Sequence, residues 1–165
     1  HVPNAITCCN LMCGGIASTF AFQADYRMAV MFIILGAVFD FFDGMTARLL
    51  HVSSPIGKEL DSLADVITFG LAPSAILFSL FRELQYPEAW AAFRDLVPYT
   101  AFVMAAFSAL RLAKFNLDER QQTGFIGLPT PANALFWGAL AQNLPTDAPN
   151  ALLFWSPLGG ALLSC

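Results

Sequence analysis

Residues 40–65 read DFFDGMTARLLHVSSPIGKELDSLAD, and four aspartates stand at positions 40, 43, 61 and 65 of a strongly apolar chain. The first two are three residues apart and the last two are four apart, so each pair falls on one face of a helix. Two such helices facing each other would bring the four carboxylates together. Ionised groups in an apolar setting are costly without a partner, and function is their default explanation. Because only Arg48 and Lys58 lie close by in sequence, the pattern predicts that divalent cations supply the missing positive charge.

The composition is typical of an integral membrane protein. Of the 165 residues, 57% are hydrophobic and 12% are charged. A soluble domain carries about 25% charged residues, so this chain cannot cover a water-facing surface. We expect one all-helical membrane domain over residues 1–165, truncated at its C-terminus because the sequence stops inside an apolar run. No basic patch is present, which argues against a nucleic-acid partner.

Apolar runs predict a bundle of six transmembrane helices joined by polar turns. The predicted spans are Asn4–Phe22, Met28–Leu50, Pro55–Phe81, Pro98–Asn116, Pro131–Leu144 and an incomplete Ala151–Cys165. Ser54 followed by Pro55 is typical of a helix N-cap and first helical residue. Gly70 and Pro73 predict a kink in the third span.

The basic residues give a weak orientation signal. Those at the end of the bundle that carries the aspartates are Arg48, Lys58, Arg111, Lys114 and Arg120, against Arg27, Arg82 and Arg94 at the other end. The end richer in Lys and Arg usually faces the cytoplasm. We therefore expect the acids to face the cytoplasm.

The acids also indicate a kind of chemistry. Carboxylates without His or Cys neighbours favour a hard cation, Mg²⁺ or Mn²⁺, and four of them are enough for two ions. A two-metal site suits displacement at phosphorus. Gly44 and Gly57 would let a substrate approach the backbone, and Arg48 suits a phosphate. The pattern predicts a phosphate-bearing substrate at a membrane surface, although a polar helix contact or an ion path would use the same residues.

Eight positions of this stretch match the signature of a known family in residue type and spacing. They are Asp40, Asp43, Gly44, Ala47, Arg48, Gly57, Asp61 and Asp65. The chain therefore resembles the CDP-alcohol phosphatidyltransferases. Other motifs resemble the serine-using branch of that family: Pro3-Asn4-x-x-Thr7-x-x-Asn10, Phe69-Gly70-x-Ala72-Pro73, Arg111-Leu112-Ala113-Lys114-Phe115-Asn116 and Gly127-Leu128-Pro129-x-Pro131-Ala132. Lys114 is a mild departure, since many relatives have Arg there.

The resemblance implies an enzyme of phospholipid biosynthesis, usually a homodimer, with a cavity open to the cytoplasm and the bilayer. It would transfer the phosphatidyl group of CDP-diacylglycerol to the hydroxyl of L-serine and release CMP. Asp40, Asp43 and Asp61 would bind two Mg²⁺ or Mn²⁺ ions, and Asp65 would be both a metal ligand and the general base.

The resemblance also implies two substrate sites. The residues expected to line the CDP-diacylglycerol site are Asn4, Thr7, Gly44, Ala47, Arg48, Ser54 and Gly57. The serine carboxylate needs a cation, and the candidates on the fourth span are Arg111, Lys114 and Asn116.

Three alternatives remain at this point. The same fold could use glycerol 3-phosphate or inositol phosphate, although a phosphorylated acceptor would require more cations than this chain offers near the acids. A divalent-cation transporter could use the four acids as a path. A structural membrane protein could use them as helix contacts.

Overall fold

The computed structural model describes residues 2–49, 54–83, 93–117 and 130–143, and every regular element in these ranges is helical. The elements are α1 (Val2–Phe22), α2 (Tyr26–Leu49), α3 (Pro55–Asp65), a π-helical segment (Val66–Leu71), α4 (Ala72–Glu83), a 3₁₀ turn (Val97–Ala101), α5 (Phe102–Leu117) and α6 (Thr130–Asn143). The all-helical prediction is confirmed over these ranges. The predicted sixth span and the loop before α6 lie outside them.

Three helical stretches are long and apolar enough to cross a membrane. They are Pro3–Phe22, Tyr26–Leu49 and Pro55–Glu83. The next two helices are shorter, with 16 residues in α5 and 14 in α6. Three membrane-spanning candidates are therefore established within the described ranges, and the count of six stays a prediction.

A tight turn folds α1 and α2 into an antiparallel hairpin. Ala24 has a positive φ of 58°, and the side chain of Asp25 accepts a hydrogen bond from the backbone N–H of Met28 at 3.1 Å. This is an N-cap for α2. Because the chain reverses here, the start of α1 and the end of α2 lie at the same end of the bundle.

The N-cap predicted for the third helix is confirmed. Ser54 has an extended backbone, and its hydroxyl accepts a hydrogen bond from the N–H of Gly57 at 3.0 Å. Pro55 is the first helical residue, where a backbone N–H would have no partner within the helix, so its absence removes no hydrogen bond. The start of α3 lies beside the start of α1, where Asn4 approaches Gly57.

The third span is one continuous helix with a π-helical segment in its middle. The N–H of Ala72 bonds to the carbonyl of Ile67, five residues back. Pro73 follows and has no N–H to donate. This wider turn, which buries Thr68 and Gly70, lies where the sequence predicted a kink. The kink itself stays a prediction.

The core of the bundle surrounds α4, and the outside of α2 is apolar. Nine residues of α4 are buried, and they pack against α1, the 3₁₀ turn and α6. Large apolar side chains on α2 are exposed, namely Met31, Ile34, Leu35, Val38, Phe41 and Phe42. Exposed apolar side chains of this kind suit a lipid surrounding.

Candidate metal and substrate site

Three carboxyl groups lie close together, one from the end of α2 and two from α3. One oxygen from each of Asp40, Asp61 and Asp65 lies within 4.8 Å of the others, and all three side chains are half-buried. Asp61 and Asp65 are one helical turn apart on α3, and Asp40 faces them from α2. The antiparallel geometry predicted from the sequence is present.

Asp43 lies beside this group without being one of the three. It is only 5% exposed, and its carboxyl lies within hydrogen-bonding reach of the Thr7 hydroxyl and of the Gly44 N–H. It also interacts electrostatically with Asp40 and Asp61. Its role as a metal ligand stays a prediction.

The electrostatics of the group fit a cation. Two ionised carboxylates whose oxygens lie 4.8 Å apart or closer repel each other by about 3.5 kcal/mol or more at an effective dielectric constant of about 20. One buried oxygen of Asp43 and one of Asp61 have no hydrogen-bond donor within reach in the described part of the chain. Buried acceptors of this kind are costly to leave unpaired. All four acids are hard oxygen ligands, which fits Mg²⁺ or Mn²⁺.

Several residues predicted for CDP-diacylglycerol converge at the start of α3. A Cβ added to Gly57 would lie 3.0 Å from the Ser54 hydroxyl and 3.2 Å from the Asn4 side-chain oxygen. The Thr7 hydroxyl donates to the carbonyl of Pro3 at 3.1 Å and lies near Asp43. Asn4, Ser54 and Gly57 therefore lie together, and Thr7 lies beside Asp43. Their role toward CDP-diacylglycerol stays a prediction.

The remaining predicted residues of that site lie along the last turns of α2. The Nε of Arg48 donates to the carbonyl of Gly44 at 3.0 Å, and the guanidinium is exposed. Gly44 and Ala47 are half-buried. The arginine is thus held close to its own helix with its charge open to a ligand.

The residues predicted to hold serine lie on another helix. Arg111 is half-buried and Lys114 is exposed near the end of α5, which packs against the π-helical segment. The side chain of Asn116 lies outside the described part of the structure. Their role toward serine stays a prediction.

One residue at the site was not among those predicted from the sequence to act there. Asn10 is completely buried, and its side-chain N–H₂ donates to Asp65 at 3.5 Å. The spacing of Asn4, Thr7 and Asn10 by three residues could have indicated that all three face one side of α1.

The aspartates lie in a sequence that matches a known family. Residues 1–160 match the CDP-alcohol phosphatidyltransferase family. The chain belongs to this family. The membrane location of these phosphatidyltransferases agrees with the three spanning candidates described above.

Curated members of the family include similar proteins named CDP-diacylglycerol–serine O-phosphatidyltransferase. The one from Bacillus subtilis is 38% identical over 131 residues, which cover 79% of this chain and 70% of that protein. The one from Mycobacterium leprae is 34% identical, covering 89% of this chain and 49% of the relative. The one from Helicobacter pylori is 35% identical, covering 81% and 54%. The chain thus spans about half the length of the last two relatives.

Proposed function

We propose that this chain transfers the phosphatidyl group of CDP-diacylglycerol to the hydroxyl of L-serine, giving phosphatidylserine and CMP. The observation that carries the proposal is the convergence of the carboxyl oxygens of Asp40, Asp61 and Asp65 within 4.8 Å. These acids belong to the signature of a family whose members act on CDP-alcohols. The choice of serine is supported by the names of the similar proteins.

Asp65 is the proposed general base. It accepts the proton of the serine hydroxyl while the serine oxygen forms a bond to the phosphorus that carries diacylglycerol. The bond from that phosphorus to the oxygen of CMP breaks, and CMP leaves with the electron pair. Proton transfer by a positioned side chain typically contributes about 10²–10⁴-fold to a rate.

The four aspartates are the proposed ligands of two divalent cations. Bound Mg²⁺ or Mn²⁺ would neutralise the pyrophosphate and the charge that develops on the leaving CMP. Asp40, Asp43 and Asp61 would hold the ions, and Asp65 would both bind metal and accept the proton. The buried unpaired oxygens of Asp43 and Asp61 support this assignment.

The two substrates would be bound by residues of different helices. Asn4, Thr7, Ser54 and Gly57 would contact the nucleotide side of CDP-diacylglycerol, and the proposed phosphate contacts on α2 are Gly44, Ala47 and Arg48. Arg111, Lys114 and Asn116 on α5 would bind the serine carboxylate. The packing of α5 against the segment that follows Asp65 supports a serine site next to the base.

The proposal includes a membrane setting and a partner. The active site faces the cytoplasm, which the excess of Lys and Arg at that end supports. The surrounding partner is membrane lipid, and the chain forms a homodimer with six transmembrane helices in each complete subunit. The exposed apolar face of α2 supports contact with lipid.

An acceptor panel tests the proposed activity. The purified protein is reconstituted into vesicles with labelled CDP-diacylglycerol and Mn²⁺, and L-serine, glycerol 3-phosphate and inositol phosphate are supplied separately. We expect phosphatidylserine and CMP in equal amounts with serine, at a rate at least about tenfold above either phosphorylated alcohol, which corresponds to about 1.4 kcal/mol in the barrier. Chelation of the metal should stop the reaction.

Two results would contradict the proposal in different ways. Product with a phosphorylated alcohol and none with serine would reassign the acceptor. Uptake of Mn²⁺ into vesicles, without CMP release for any alcohol, would instead support the cation-transport alternative.

A further inference from the structure

We propose that Asn10 is a positioning residue that fixes the carboxylate of Asp65 for metal binding and proton transfer. The inference rests on the proposed function, because that function gives Asp65 its role. It assigns a task to a buried residue of α1 that is not among the residues proposed to contact either substrate.

The contact between the two side chains is direct. The Nδ2 of Asn10 donates to an Oδ1 of Asp65 at 3.5 Å, across 55 residues of sequence. An ionised carboxylate can only accept hydrogen bonds, so the amide nitrogen, and not its oxygen, must face Asp65. The orientation of the Asn10 amide is therefore dictated by the aspartate.

The other half of the amide argues against a purely structural role. The Oδ1 of Asn10 is buried and has no donor within reach among the residues described. An unsatisfied buried acceptor costs about 1–3 kcal/mol. Asn10 is completely buried, so an apolar residue would avoid this cost. The donor that it offers to Asp65 is what favours asparagine here.

The backbone around Asn10 is held on two sides. The Thr68 hydroxyl donates to the carbonyl of Asn10 at 3.1 Å, which joins α1 to the π-helical segment. A Cβ added to Gly36 would lie 3.0 Å from the Oδ1 of Asn10 and 2.6 Å from the Cγ2 of Thr68. The amide is thus confined between α2 and the segment that begins immediately after Asp65.

Because the amide is confined, it can hold the carboxylate of Asp65 in one orientation. Asp65 is the last residue of α3, and the wider π turn starts at Val66. Side chains that orient a metal ligand usually change metal affinity or activity by about 10–100-fold when they are removed. We expect an effect of this size for Asn10, transmitted entirely through Asp65.

A double-mutant cycle on Mn²⁺ binding tests this. The affinity of the detergent-solubilised protein for Mn²⁺ alone is measured by the loss of the free-ion paramagnetic resonance signal. The four proteins are the native chain, Asn10→Ala, Asp65→Asn and the double variant. Asn10→Ala should weaken binding by about 10–100-fold in the native background and by less than about threefold beside Asp65→Asn, since coupled residues do not act additively.

Two further variants separate positioning from packing. Ser18→Ala likewise removes a buried polar group from α1, here a hydroxyl that donates to the carbonyl of Gly14 at 2.9 Å, and it should leave Mn²⁺ affinity unchanged. Asn10→Ser keeps a polar group that is too short to reach Asp65, so its loss of affinity should match that of Asn10→Ala. If Asn10→Ala does not fold, Asn10→Ser takes its place in the double-mutant cycle.

The outcomes distinguish this inference from the proposed function. An equal loss of affinity in both backgrounds, or no loss in either, overturns the positioning role even if the protein makes phosphatidylserine. Coupling between Asn10 and Asp65 supports that role even if the acceptor panel yields no phosphatidylserine, in which case only the proposed reaction falls.

Discussion

At the scale of single residues, the proposed mechanism depends on Asp65 more than on any other side chain. Its carboxyl group lies beside those of Asp40 and Asp61 and accepts a hydrogen bond from the side-chain amide of Asn10. It is also the proposed acceptor of the serine proton. Removing its charge without changing its shape therefore separates catalysis from substrate binding.

At a Mn²⁺ concentration that saturates the site, Asp65→Asn should lower kcat at least about 100-fold, the lower range for losing a general base, and should leave binding of CDP-diacylglycerol largely intact. The nucleotide contacts proposed at Asn4, Ser54 and Gly57 do not involve this carboxylate. Phosphatidylserine formation and equilibrium binding of the labelled nucleotide lipid are measured on the same preparation.

Asp25→Asn is the matched control. Asp25 caps α2 through the N–H of Met28 at the opposite end of the helix hairpin, and asparagine caps a helix equally well. Its activity should equal that of the native chain. Full activity in Asp65→Asn would remove Asp65 from the role of base.

Residue-scale prediction from the sequence succeeded where helical periodicity governs the geometry. The Ser54 cap depends on contacts within one turn and is confirmed. Helical spacing also puts Asp61 and Asp65 on one face beside Asp40, although the structure groups three of the four predicted acids and leaves Asp43 next to them. The Asn10 contact spans 55 residues and depends on how α1 packs against the third span. No local pattern contains that information, and the substrate-binding roles of Arg111 and Lys114 stay predictions.

At the scale of elements, the junction of α1, α2 and the π-helical segment sets the position of Asp65. Gly36 lets Asn10 and Thr68 approach α2 closely. Gly70 and Pro73 indicate an interruption of the third span, but a π turn has no composition of its own. Whether the extra residue is absorbed as a kink or as a wider turn depends on the helices packed around it.

Gly36→Ala should destabilise the protein by about 1–3 kcal/mol, the usual cost of overpacking, and should lower kcat by displacing Asn10. The added Cβ would lie 2.6 Å from the Thr68 side chain and 3.0 Å from the Asn10 oxygen. Thermal unfolding in detergent and the rate of phosphatidylserine formation are the two readouts.

Gly15→Ala makes the same chemical change at an open position. A Cβ there meets nothing within 4 Å, and alanine is the better helix former by about 1 kcal/mol. It should be as stable as the native chain or more so, with unchanged kcat. Equal stability and activity for Gly36→Ala would contradict the close junction.

At the scale of the whole molecule, the carboxylate group lies at one end of the bundle, and apolar side chains cover the outside of α2. Composition alone predicts a helical membrane protein, and three described stretches have the length and apolarity to span a bilayer. The cytoplasmic orientation and the homodimer depend on the membrane and on a second subunit, which are not encoded in the contacts of one chain. They remain proposals.

The transfer of label from serine tests the central claim most directly. The reconstituted protein is given CDP-diacylglycerol, Mn²⁺ and L-serine with ¹⁸O in its hydroxyl, and the products are analysed by mass spectrometry. Because the serine oxygen attacks the phosphorus that carries diacylglycerol, we expect one ¹⁸O in every phosphatidylserine formed and none in CMP. Label bound to cytidylate, with release of phosphatidic acid, or unlabelled phosphatidylserine would contradict the account.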